Sequence, residues 1–316
     1  MPLIPDLVLG LTLHSVIACA SVEGVIRALA VRAPATRIAL RDLALLLPLV
    51  FLPVAAWLAP WRTGEHFLAQ ALFVSQRFDR IMIGDLPLRQ AAWWACAAVG
   101  AVLLLRDARV RLHRPHARPI KAPDLASHAA LVASTRAVVE RLSERVGVTP
   151  PVVRVVESDR PLMHLEGAKR RHMVFSTATL ARLETAQLEA AIAHELAHLV
   201  NRDLRRSVVM LPVRLALIAS PLAHVTARRQ HQELEWRADD VAARVTGQPI
   251  ALARALVASG KAASGDYLGL LGQGRLEALE RRCYRLADHE HLLTEPHRLP
   301  LALTAIGLLA TMCLVS

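Results

Sequence analysis

Four stretches of this chain are too apolar to lie easily in water, and they limit what it can fold into. They run from about Leu7 to Val25 (LVLGLTLHSVIACASVEGV), from Leu43 to Ala59 (LALLLPLVFLPVAAWLA), from Gln90 to Leu105 (QAAWWACAAVGAVLLL), and from Leu299 to Ser316. Each is 16 to 19 residues long, at the short end of the roughly 17–25 residues that cross a bilayer as a helix. Pro48 and Pro53 in the second run are tolerable in a membrane helix, and Trp93 and Trp94 stand where an aromatic belt would sit. The flank before the first run lacks Lys and Arg, so that run makes a poor secretory signal peptide.

Composition agrees with membrane spans. Of 316 residues, 54% are hydrophobic, yet the formal net charge is +11. An alanine- and leucine-rich soluble protein is the bland alternative, and nucleic-acid binding is the usual reason for a high pI. Here the basic residues cluster beside apolar runs, which favours a membrane surface and no nucleic acid. Cys19, Cys96, Cys283 and Cys313 form no CxxC pair, so neither a disulfide scaffold nor a cysteine zinc site is expected.

Basic flanks give an orientation. Arg27, Arg32, Arg37 and Arg41 follow the first run, and RDARVRLHRPHARPIK follows the third, whereas the 60–89 loop mixes both signs. Cytoplasmic loops carry the Lys/Arg excess. The N-terminus, the 60–89 loop and the C-terminus are therefore expected outside, with the 27–42 loop and residues 106–298 inside. The domain expectation is three transmembrane helices with their loops in 1–106, a cytoplasmic domain over 107–298, and a fourth transmembrane helix over 299–316. The setting implied is a bacterial-type inner membrane, crossed several times.

Within 107–298 the pattern reads as α+β, mostly helical, with a small sheet. An amphipathic helix is predicted from Pro123 to Val146, a strand over 151–158, a second strand from His172 to Ser176, and a helix from Thr185 to Asn201 with Thr185 as N-cap. Residues 204–227 are apolar but interrupted by Pro212, Arg214 and Pro221. They read as a domain helix or a membrane-surface helix. Further helices are predicted over Gln232–Thr246 and Ile250–Ser259.

The chemistry lies in AIAHELAHLVNRD, residues 191–203. His194 and His198 are four apart, so on a helix they share a face and can hold one zinc ion. Glu195, about a third of a turn round, can serve as general base for a water that the metal acidifies. Downstream, ELEWRADD (233–240) carries a second pair four apart. Glu235 could supply the third ligand, and Asp239 could accept from the far N–H of a ligating histidine. Glu233 competes with Glu235. Glu235 and Asp239 could also be a solvated acidic face bridged to Arg237 or Arg244. His164, His289, His291 and His297 could approach the site, though their spacing does not require it.

HELAHLVNRD, then an apolar segment with Ser220–Pro221–Leu222, then ELEWRADDVAARVTG, resembles the membrane-embedded gluzincin zinc peptidases. In topology the chain looks most like the β-lactam sensor/antirepressor (BlaR/MecR-like) family. The HtpX-like, CAAX-prenyl protease group is the close alternative, to which NRD and ExxAD belong as much. That group usually has further membrane helices between HExxH and the third ligand. The resemblance implies one Zn2+ per chain on His194, His198 and Glu235, with Glu195 as general base and Asp239 as the supporting carboxylate. It also implies an edge strand, His172, Met173, Val174, Phe175 and Ser176, that binds an extended substrate by strand addition. His297, Tyr284 and Arg282 are candidates for stabilising the oxyanion. No penicillin-binding domain follows the last run, so an antibiotic signal is not expected, and any signal would enter through the 60–89 loop or a separate protein.

The function expected is an integral membrane zinc endopeptidase acting on a regulatory or membrane-associated protein. Its partners would be a protein or peptide substrate, the lipid bilayer, and a separate sensor or repressor. A non-catalytic membrane sensor or assembly scaffold that retains the fold is the alternative, against which the intact Glu195 argues.

Overall fold

The computed structural model describes residues 3–63, 80–112, 118–119, 129–167, 171–263, 270–288 and 299–313. The chain divides into two compact units. One comprises Met1–Arg114, Ser207–Glu233 and Glu295–Ser316, the other Pro115–Arg206 and Leu234–Thr294.

The first unit is built on apolar helices. These are α1 (Leu3–Ala28), α2 (Pro34–Leu58), α3 (Leu88–Leu112) and α11 (Leu299–Cys313). Three contain stretches long and apolar enough to cross a membrane: Val8–Ala28, Pro34–Ala55 and Leu88–Asp107. The fourth apolar run forms a shorter apolar helix, Leu301–Cys313, among the described residues. In α1, Ala18, Cys19, Val22 and Ile26 recur at helical spacing and pack with Leu40, Ala44 and Leu45 of α2 and Leu308 and Met312 of α11.

Two expectations for this unit change. Helix α2 starts at Pro34, where the fixed φ of proline suits a first helical position. Arg37 and Arg41 are therefore helical and not loop charges, and Arg41 is buried against Glu23 in a forked ion pair (2.7 and 3.3 Å). The 204–227 stretch is two helices. α7 (Asp203–Ala216) continues through Pro212, and Pro221 opens the 26-residue α8 (Pro221–Thr246). Val213, Leu217 and Ala223 belong to the same core as α1, α2 and α11. The insert between HExxH and ELEWRADD is thus part of the apolar unit. Before α3, β1 (Met82–Ile83) and β2 (Leu86–Pro87) form a hairpin turned at Gly84 (φ 62°).

The second unit has a four-stranded sheet ordered β3-β4-β6-β5, from β3 (Arg118–Pro119), β4 (Val152–Glu157), β5 (Met163–Glu166) and β6 (His172–Ser176). β4 and β6 are parallel, and the other pairs antiparallel. Around it stand α4 (Ala129–Val146), α5 (Thr177–Arg182), α6 (Thr185–Val200), the second half of α8, α9 (Pro249–Ala263) and α10 (Leu270–Ala287). Val153, Val155, Met173 and Phe175 of the sheet meet Val139 and Leu142 of α4, and Ile192, Ala193 and Leu196 of α6, in one core. The predicted helix 123–146 is seen from Ala129, its first residues lying outside the described ones. Thr185 is the first helical residue and not the cap. The cap position is Glu184, and it makes no side-chain cap bond.

The strand expected at a sheet edge is central. His172 to Ser176 pairs with Val152–Val156 on one side and with Met163–Glu166 on the other. Its backbone groups are spent on both neighbours, and Met173, Val174, Phe175 and Ser176 are buried, so these residues cannot accept an added strand. Among the described residues the outer strands of the sheet are the two-residue β3 and the longer β5.

Candidate metal centre

Helix α6 reads TAQLEAAIAHELAHLV, rich in strong helix formers, and buries Ala190, Ile192, Ala193 and Leu196. That anchored face fixes the opposite register, where His194 and His198 stand with ring centroids 4.9 Å apart and nearly perpendicular (87°). The third member comes from α8. Glu235 Oε2 lies 3.6 Å from His194 Nε2, and Glu235 Oε1 lies 3.7 Å from His198 Nε2. One donor atom from each of the three falls within 4.8 Å of the others.

This set fits zinc. A tetrahedral ion with bonds of about 2.0–2.1 Å holds its donors roughly 3.3–3.4 Å apart, a few tenths of an ångström inside the two His–Glu separations, each of which runs to a different oxygen of Glu235. Two imidazoles and a carboxylate leave one position open, as in catalytic and not structural zinc sites.

The far side of each ring is equally ordered. His198 Nδ1 donates to Asp203 Oδ2 at 2.7 Å. His194 Nδ1 lies 2.9 Å from Asp239 Oδ1, a contact bent away from the N–H direction. An ionised carboxylate only accepts, so with an ion bound each Nδ1 would keep its proton and each Nε2 would be left to face the ion. Behind each aspartate stands an arginine. Arg282 grips Asp239 with Nε (2.8 Å) and a terminal nitrogen (2.7 Å), and its other terminal nitrogen reaches Glu235 at 3.1 Å. Arg237 donates to Asp203 Oδ1 at 2.7 Å. Two Arg–Asp–His arms therefore converge on one carboxylate.

Electrostatics follow from burial and these partners. Burial lowers His194, but the contacts with Asp239 and then Glu235 outweigh it, and its pKa is raised to about 10. Burial raises Glu195, the positive rings of His194 and His198 pull it back, and the net is upward. For Glu235 the burial penalty is overcome by His194 and Arg282, and for Asp239 chiefly by Arg282. Both carboxyls are held below their usual range. Burial thus holds the Glu195 carboxyl above its usual range, while Glu235 and Asp239 stay ionised.

Glu195 follows His194 on α6 and senses the charge of His194, His198, Glu235 and His164. His164 is on β5, which brings one edge of the sheet into electrostatic reach of Glu195. Glu233, the competitor for the ligand role, is engaged in the first unit by Arg37 (2.9 Å) and Arg41 (3.1 Å). Of the oxyanion candidates, Arg282 is at the site but committed to carboxylates, Tyr284 is 69% exposed, and His297 lies outside the described residues. Asp203 went unassigned in the sequence, and Arg237, considered there as a partner for Glu235 and Asp239, pairs with Asp203. The available signal was the polar NRD that follows Leu199 and Val200 after the second histidine. Arg202 between them takes a left-handed conformation (φ 57°) that turns the chain and returns Asp203 to His198.

Residues 130–264 match the model of Peptidase family M48. The M48 match covers HExxH, the insert and ELEWRADD in one stretch. The chain is 32% identical over 152 residues to a protease HtpX homolog of Acidiphilium cryptum, covering 38% of this chain and 53% of that protein. It is 30% identical over 156 residues to protease HtpX homolog 1 of Streptomyces coelicolor, covering 38% and 51%. A protease HtpX homolog of Gemmatimonas aurantiaca is 25% identical over 151 residues, covering 38% and 54%. The chain thus spans about half the length of the curated relatives it matches. Of the two groups that the motifs resemble, the HtpX-like one has this support, and the β-lactam sensor type gives way to it. Residues 207–233 pack with the apolar helices, although none of the described stretches long and apolar enough to cross a membrane lies among them.

Proposed function

We propose that this chain is an integral membrane zinc endopeptidase. The observation that carries the reading is the convergence of His194 Nε2, His198 Nε2 and the Glu235 carboxylate, with an aspartate behind each ring. His194, His198 and Glu235 would hold the ion. When bound, zinc would acidify a water and polarise the scissile carbonyl.

The chain's own groups do the rest. Glu195 takes the proton of the attacking water and delivers it to the leaving amine, a task its raised pKa favours. Asp239 and Asp203 keep the two rings in one tautomer, and Arg282 and Arg237 keep the aspartates ionised. An extended segment of substrate adds to β5, Met163–Glu166, in place of the buried β6. The substrate is a regulatory or membrane-associated protein. α1, α2, α3 and α11 span a bacterial-type inner membrane with the catalytic unit on the cytoplasmic side, and a separate sensor or repressor protein conveys the signal.

The test compares Glu195→Gln with wild type in detergent-solubilised full-length protein, scoring cleavage of unfolded casein beside zinc content. The peptidase reading expects zinc retained and cleavage lost by about 100-fold or more, as removal of a general base requires. Cleavage unchanged by the substitution would overturn it.

A further inference from the structure

The connection between α2 and α3 carries an apolar surface that the catalytic reading does not use. In the β1–β2 hairpin Ile81, Met82, Ile83 and Leu86 are 45 to 56% exposed, although they are large and apolar. Trp57 and Trp61, at the end of α2 and in the following turn (Pro60–Thr63), are 80% and 64% exposed. A water-facing loop would carry polar residues at these positions.

We infer that this hairpin lies in the interfacial layer of the lipid bilayer, with Trp57 and Trp61 at the same level. Three observations select lipid as the occupant. The hairpin directly precedes the apolar stretch Leu88–Asp107, and Leu88 N–H donates to Ile81 C=O at 2.6 Å, tying it to the start of α3. The tryptophans follow the apolar stretch Pro34–Ala55, so two consecutive span ends present apolar and aromatic residues, the pattern of a membrane–water boundary. The hairpin also pairs its own strands, Met82 with Pro87 and Ile83 with Leu86, which lowers the cost of bringing backbone to the headgroup boundary. The inference rests on the reading that α2 and α3 cross the membrane.

The test places a nitroxide label at Met82→Cys in the full chain, with Cys96, Cys283 and Cys313 replaced by alanine. The protein is reconstituted in phosphatidylcholine vesicles containing a minority of phosphatidylglycerol. Power saturation compares collision with oxygen, which concentrates in lipid, and with a water-soluble nickel chelate. Labels at Val102→Cys on α3 and Glu140→Cys on α4 report lipid and water. Met82 is expected to collide more with oxygen than with nickel, as Val102 does and in inverse ratio to Glu140. A nickel-dominated signal at Met82 beside an oxygen-dominated one at Val102 overturns the hairpin's place and leaves the span. Exclusion of both reagents overturns it in favour of a second copy or another protein. A nickel-dominated signal at Val102 overturns the span and the hairpin's place together.

Discussion

His198 Nδ1 donates to Asp203 Oδ2 across 2.7 Å, and the two residues lie on either side of a helix break. The bond repeats, on the second histidine, what Asp239 does for the first.

Asp203 should therefore matter to the metal almost as much as a ligand does. Asp203→Ala is expected to weaken zinc binding about 10- to 100-fold, the usual loss when a carboxylate behind a ligating histidine is removed. Asp203→Asn should lose less, because the amide oxygen can still accept. Competition against a chromogenic chelator measures both. Affinity unchanged in Asp203→Ala would mean that the ring is held by packing alone.

Arg282 and Arg237 should differ in their effect on stability. Asp239 is 1% exposed and gripped twice by Arg282, which also meets Glu235. Arg282→Ala leaves the buried Asp239 with only the bent His194 contact, at a cost of about 3–5 kcal/mol. Arg237→Ala removes one contact to Asp203, which also has the bond from His198. A smaller loss, about 1–2 kcal/mol, is expected there. Thermal unfolding of the two variants in the same detergent, without added metal, gives the ranking.

Zinc binding should depend steeply on pH. His194 has its folded pKa raised from 6.5 to about 10 in the metal-free site. The stability it lends that state is fully present below 6.5 and is lost as pH rises through about 10. Zinc needs the neutral ring, so binding displaces a proton, and affinity should climb by up to about tenfold per pH unit below 10. Calorimetric titration near neutral pH in buffers of different ionisation enthalpy should show roughly one proton released by this residue.

Gly100 on α3 admits no side chain. A Cβ there would sit 1.8 Å from the carbonyl oxygen of Ile218 and 2.9 Å from His224 Nε2. The first is backbone and cannot swing aside. Gly100→Ala is expected to cost about 1–3 kcal/mol or more through forced separation in the first unit. A lowered unfolding temperature, with zinc content per folded chain preserved, checks it.

What the sequence made legible followed helical and strand periodicity. His194 with His198, and Glu235 with Asp239, are spaced four apart within unbroken helices, so periodicity alone set their faces. Strand β6 was found at its observed bounds, His172–Ser176, because its β-branched and aromatic run is local. Its place in the sheet was not legible. β6 inserts between β4, to which it is parallel, and β5, which precedes it in the chain, and order in a sheet is a tertiary fact. Asp203 was missed because its approach to His198 depends on the left-handed turn at Arg202, which arginine does not announce. Arg282 was singled out for its charge, but only the fold revealed that carboxylates occupy it. Pro212 and Pro221 suggested a broken segment, whereas one is carried inside α7 and the other opens α8.

The most direct test is the zinc content of the purified full chain, measured by plasma mass spectrometry beside Glu235→Ala. The account predicts about one zinc per chain in wild type, as a three-ligand site requires, and its loss in the variant. Carefully handled wild-type protein without zinc, or a variant that keeps it, would contradict the assignment of His194, His198 and Glu235 as a metal site.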